Sequence, residues 1–178
     1  MENPNLDSIR VMSRMADIPI EATEIVGQWL LLTYDIPKSE AGDKARREFL
    51  NKAYSIGATQ HTASVYYMPW TPEAENLAFE VAKVGRACVW TSKATDDDQA
   101  VILTKNYDTG LEKLLDKIAE RIDKVQNQWK QEHFKRAEKM AQKTRDMMDK
   151  LLDAVERRGS ANLQTYATIL DQRLRMLE

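Results

Sequence analysis

Residues 28–34 read QWLLLTY, a short apolar run set between Gly27 and Pro37. A run this brief, bounded by breakers, predicts a buried strand rather than a helix. In 42–55, Ala45, Phe49, Leu50 and Ala53 recur at spacings of three and four, with Lys44, Arg46, Arg47 and Lys52 between them. That is an amphipathic helix, and Gly57 suits its C-cap. The stretch ATQHTASVYYM (58–68) places Val65, Tyr66 and Tyr67 after small residues, which predicts a tight hairpin of two short strands ended by Pro69. Thr71 is a good N-cap with Pro72 at the first helical position. The helix that follows is expected to bury Leu77, Phe79 or Val81, and Val84, and to stop at Gly85. A last strand is expected over 86–91, RACVWT. The order β-α-β-β-α-β predicts an α+β, ferredoxin-like domain over 27–95, an antiparallel four-stranded sheet with two helices on one face.

After TSKATDDDQ the pattern changes, and residues 96–178 read as a helical extension. Leu111, Leu115, Ile118, Ile122, Val125 and Trp129 follow a four-three repeat, and Ala137, Met140, Thr144, Met147, Leu151 and Val155 resume it. Between these blocks the seam would fall on Glu132 and Arg136, or on His133, so a break is expected near 131–136. Unbent, ~50 residues rising about 1.5 Å each would make a rod of roughly 75 Å, too long for one small sheet to cover. RRGSAN (157–162) predicts a turn, and Leu163, Ile169, Leu170, Leu174 and Leu177 a final helix. A helical hairpin or a dimeric coiled coil would bury the seam, and its length favours a homodimer. Residues 1–26 read as an N-terminal arm, with a short helix over 8–15 and an interruption at Pro19.

Composition narrows the classes. The chain has 178 residues, a hydrophobic fraction of 43%, a charged fraction of 30% and a formal charge of -2, so it can bury a core and is no polycation. One cysteine and two histidines exclude an internal disulfide framework and offer no recognised zinc spacing. Cys88, inside an apolar strand, is expected to be buried. No apolar stretch is long enough to span a membrane, and the N-terminus has neither the basic start nor the apolar run of a signal peptide. The expectation is a cytoplasmic protein with no membrane partner.

Candidate chemistry is sparse. Glycine-rich phosphate loops, HExxH, CxxC and nucleophile elbows are absent from the sequence. Asp35 ends the first strand, where it either opens a loop by capping backbone amides or, facing a second copy, holds Mg²⁺ or Mn²⁺ against a phosphate. Asp96, Asp97 and Asp98 lack the alternation of a calcium loop and suit a helix start. Between residues 124 and 150, eight cations oppose four acids, a local excess of +4. Lys135, Lys139 and Lys143, spaced by four, line one helical stripe that could follow a phosphate backbone, with Lys130 ahead of it, or form an ordinary solvated face. Tyr66 and Tyr67 alternate faces, so one is expected in the core and the other on the sheet surface, available for base stacking. Trp29, Trp70, Trp90 and Trp129 are expected to cover the core or an interface.

The segments WLLLTYDIP, GATQHTASVYYMP and ATDDDQAVILTKNYDTGLEKLLDKI resemble, in that order, the strand, hairpin and domain-to-helix junction of the N-terminal domain of the ChrB-type chromate-resistance proteins. With the helical tail the resemblance spans about residues 28–178. It implies DNA binding in chromate-responsive gene regulation and sensing of an oxyanion. The β-α-β-β-α-β portion also resembles the CRISPR-associated Cas2 proteins and the ferredoxin-like portion of the PaaX repressors. In the Cas2-like comparison Asp35 matches the aspartate ending the first strand, which implies a homodimer holding duplex DNA and, in some members, metal-dependent nuclease activity.

The leading expectation is a nonenzymatic, ChrB-like nucleic-acid-binding regulator that contacts phosphates through Lys130, Lys135, Lys139 and Lys143 and needs no cofactor. One alternative is a Cas2-like nuclease with Asp35 as catalytic metal ligand for Mg²⁺ or Mn²⁺. The other is a scaffold whose helical extension binds a protein partner.

Overall fold

A computed structural model describes residues 27–36, 40–85 and 87–177. The arm expected over 1–26 lies outside them. Nine elements follow in order: β1 (Gln28–Thr33), α1 (Glu40–Ser55), β2 (Thr59–Thr62), β3 (Val65–Pro69), α2 (Pro72–Gly85), β4 (Cys88–Lys93), α3 (Asp97–Lys130), α4 (Phe134–Arg158) and α5 (Ala161–Arg175). The chain is α+β, with a four-stranded antiparallel sheet in the order β2-β3-β1-β4.

Helices cover both faces of the sheet. Leu30, Leu32, Tyr66 and Met68 are buried and share one face through the pairs Leu30↔Met68 and Leu32↔Tyr66. On that side Tyr66 meets Phe49 and Tyr54 of α1, with ring centroids 5.9 and 5.7 Å away. Trp29 and Tyr67 belong to the other face, where both meet Tyr107 of α3, at 5.7 and 5.8 Å. A strand covered on both sides has no polar side to show, which is why β1 reads as a continuous apolar run.

This second layer corrects the sequence reading. The long helix begins at Asp97, only four residues after β4 ends, and crosses the sheet before leaving it. Asp96 caps it, its carboxylate accepting the Gln99 N–H at 2.8 Å, so the acidic cluster starts a helix. The Tyr67 hydroxyl donates to the Leu103 carbonyl at 3.3 Å, and the Tyr107 hydroxyl to the Gly57 carbonyl at 2.9 Å.

Two close approaches fix this packing. Gly57 has φ +80°, and a Cβ there would stand 2.3 Å from the Cβ of Ala154 in α4. Gly110 sits mid-helix in α3, where a Cβ would meet the Thr59 Cβ at 2.5 Å. Only glycine lets the helices come this near.

Helix α2 also differs from expectation. It turns Ala74, Ala78 and Val81 inward, leaving Leu77 and Phe79 exposed. The Thr71 hydroxyl accepts the Ala74 N–H at 3.0 Å, and the small side chains let the helix lie close to the sheet. Cys88, expected inside, is exposed, because β4 is an edge strand that α3 leaves partly uncovered. Trp90, on the same face of β4, is likewise exposed, its indole N–H donating to the Thr33 hydroxyl at 2.9 Å.

The extension folds back on itself. Leu111, Leu115, Ile118, Ile122 and Val125 of α3 are buried, as are Ala137, Thr144, Met148, Leu151 and Val155 of α4 and Leu163, Ala167, Leu170 and Leu174 of α5. Most of the apolar seam is therefore covered within one chain, with Met148 rather than Met147 turned inward. Polar bonds set the alignment: Arg158 to Asp108 at 2.6 Å, Tyr166 to Asp116 at 2.9 Å and Arg173 to Asp123 at 2.8 Å. Moving outward along α3 meets later residues of α5, so α5 runs parallel to α3 while α4 runs antiparallel to both. Arg145 of α4 also bridges to Asp171 of α5 at 2.8 Å.

Candidate nucleic-acid interface

The α3–α4 connection occupies residues 131–133, where the four-three repeat fails. Its geometry follows from hydrogen bonding at the end of α3. The Glu132 N–H donates to the Trp129 carbonyl at 3.0 Å and the His133 N–H to the Gln128 carbonyl at 3.0 Å. These are the paired bonds of a Schellman ending, which needs a left-handed residue between them. Glu132 supplies it with φ 59°, the one non-glycine residue with positive φ among those described. The chain then reverses, and α4 starts at Phe134.

Lys135, Lys139 and Lys143 fall on successive turns of α4 and are all exposed. Spacing by four carries each ammonium about 6 Å along the axis on one face. Lys130, the last residue of α3, is exposed at the same end of the hairpin. None of the four is ion-paired with a described carboxylate. Of the nearby acids, Glu132 and Glu138 are exposed beside the row, while others are engaged elsewhere. Asp146 accepts from Gln142 at 2.8 Å, and Asp171 is held by Arg145 and Arg175 at 2.8 and 2.7 Å. The stripe is thus a row of exposed lysines held in no ion pair and able to take phosphates.

The structure does not gather the remaining candidates around that row. Asp35 is exposed just after β1, at the sheet, whereas Lys135–Lys143 lie roughly 15–30 Å along α4 from Ala154, where that helix meets the sheet domain. No group of three or more His, Cys, Asp or Glu suited to a metal occurs among the described residues. Tyr66 and Tyr67 cannot offer a stacking surface, since each is 2% exposed. Tyr66 is closed in by α1 and Tyr67 by α3, the layer that the sequence reading left off the sheet. Burial pushes the Tyr67 phenol up to about 12 and raises those of Tyr66 and Tyr107 further.

The exposed aromatic next to the lysine row is Phe134. It is 52% exposed, its ring centroid 5.5 Å from that of Trp129 at an interplanar angle of 48°. It sits where the four-three repeat breaks, a place at which an aromatic has no seam position to fill, and that is its signal in the sequence. Arg136, exposed beside it, adds another cation. Among the described residues no helix is long and apolar enough to cross a membrane. No protein-family model, no curated protein and no solved structure matches this chain.

Proposed function

We propose that this chain is a nonenzymatic nucleic-acid-binding regulator of the ChrB-like type, working in the cytoplasm, with the helical hairpin as its binding element. The β-α-β-β-α-β part is assigned to the ferredoxin-like class, a reading supported by the strand order β2-β3-β1-β4 and its antiparallel pairing. The observation that carries the functional reading is the stripe of Lys135, Lys139 and Lys143, exposed, collinear and without carboxylate partners. Such groups release counterions when they meet phosphates, so they contribute affinity that falls steeply with salt. The overall charge of -2 does not oppose this, since binding responds to the local field of the hairpin rather than to the sum.

The test is fluorescence anisotropy of the purified chain with labelled DNA and RNA across a salt series. Saturable binding with a steep salt slope is expected. Lys135→Ala combined with Lys139→Ala should weaken binding about equally across unrelated sequences and reduce the slope by roughly two, about one per phosphate contact. Unchanged affinity and slope in that variant would remove the stripe from the interface.

A further inference from the structure

The sheet domain exposes Trp70, Phe79 and Trp90, and the helical bundle exposes Phe134 at the far end of the hairpin, next to the lysine stripe in sequence. Arg173 of α5 is tied to Asp123 of α3, and α5 ends at Arg175. Helix α3 continues seven residues beyond Asp123 to Lys130, about 10 Å further. Among the described residues the tip is therefore built from two helices. Trp129 and Phe134 close it by packing on each other, and the outer part of Phe134 stays in solvent. Around it Glu132, His133, Phe134, Lys135 and Arg136 line an open hollow of about 420 Å³.

We infer that this tip is a base-stacking site, and that the ligand class it selects is single-stranded nucleic acid. The inference rests on the phosphate-binding reading of the lysine stripe and adds to it. A half-exposed ring backed by an indole offers a rigid apolar platform that a base can cover with little ordering cost. Lys135 and Arg136 line the hollow with it, and Lys130 ends α3 at the same tip, three cations against the carboxylates of Glu132 and of Glu138 one turn along α4. The stripe of Lys135, Lys139 and Lys143 begins at the platform, so a strand whose phosphates follow the stripe brings a base to Phe134. In a duplex the bases already stack on one another and are paired, so the ring finds no free face to cover. An unpaired strand offers one at every nucleotide. Cations together with an uncovered aromatic thus point to single strands in a way that cations alone do not.

The experiment compares the full chain with Phe134→Ala and Phe134→Tyr. The probes are a labelled mixed-sequence single-stranded DNA, its duplex, and the same single strand carrying 2-aminopurine. Circular dichroism of each variant establishes that it is folded. The expected result is roughly tenfold weaker single-strand binding for Phe134→Ala, from loss of one stacked base, with the salt slope unchanged because no phosphate contact is lost. Phe134→Tyr should retain wild-type affinity, and 2-aminopurine emission should be quenched by wild type and recover with Phe134→Ala. Duplex affinity should be the same for all three proteins. If Phe134→Ala binds the single strand as tightly as wild type while the lysine variant is impaired, the stacking site is overturned and the phosphate stripe stands. If no nucleic acid binds at low salt, both fail, and the exposed ring becomes a contact for a protein partner.

Discussion

Arg158, the last residue of α4, grips both carboxylate oxygens of Asp108 in α3, at 2.6 and 2.8 Å, with its own side chain 3% exposed. A bidentate pair with one partner so well buried holds the two helices in a single register where α4 returns to the sheet. Removing Asp108 leaves the buried Arg158 guanidinium without its carboxylate. Asp108→Ala should cost about 3–5 kcal/mol in urea denaturation. Replacing both residues with apolar ones, as Asp108→Leu with Arg158→Met, should cost far less than either single change. A double variant as unstable as the sum of its parts would show the pair to be energetically independent.

Gly110 lies inside a long helix, where alanine is intrinsically better by about 1 kcal/mol. Its neighbour across the interface reverses that preference. Gly110→Ala should destabilise by about 1–3 kcal/mol, the usual range for overpacking, since its Cβ would enter the space of Thr59. Introducing the same change into Thr59→Gly should cost less, because the Cβ it strikes is gone. Equal costs in the two backgrounds would place the strain elsewhere.

Glu132 holds a left-handed conformation that glycine adopts freely. Glu132→Gly should therefore raise stability, by about 0.5–1 kcal/mol, without altering the helix content seen by circular dichroism. Glu132→Val should lower it, as a β-branched residue tolerates positive φ least. A Glu132→Gly variant less stable than wild type would mean that the carboxylate itself secures the turn.

Alkali should unfold this protein through its tyrosines. Tyr67 titrates at about 12 in the fold against an ordinary value of 10.0, chiefly because burial disfavours the phenolate, and Tyr66 and Tyr107 are raised in the same way. The folded state holds these protons more tightly than the unfolded chain. Their contribution is complete below pH 10 and is lost as pH rises through 12. Denaturation midpoints should be flat up to the first value and fall beyond it, with the phenolates of the buried Tyr66, Tyr67 and Tyr107 appearing together with unfolding. A midpoint that keeps its neutral-pH value through pH 12 would contradict this.

The sequence carried most of the element order because the relevant signals were local. The run Trp29–Leu32, the spacing of Phe49 and Ala53, the Thr71–Pro72 start and the loss of phase near Glu132 each depend on neighbours within a few residues. What escaped was set by contacts distant in the chain. The run Trp29–Leu32 implies a strand with no polar side, but the β-α-β-β-α-β order supplies helices for one face alone, and that the first turns of α3 cover Tyr67 on the other depends on contacts about 40 residues apart. The alanines of α2 win the inner face over Leu77 and Phe79 because close approach to the sheet favours small side chains, which a hydrophobicity pattern cannot weigh. Of the candidate site, the lysine spacing was visible in full. The exposed ring of Phe134 was not, because its exposure depends on where α5 ends.

Helix α3 is one uninterrupted element of 34 residues, about 50 Å long. Its first turns are clamped against the sheet by Leu103, Tyr107 and Gly110, and its last residue stands at the lysine-rich tip. A stiff rod held at one end turns a load at the other into torque. Whatever pulls on the tip therefore bears on the Trp29–Tyr107 contact, and the sheet domain acts as the fulcrum of a lever that reaches into solvent.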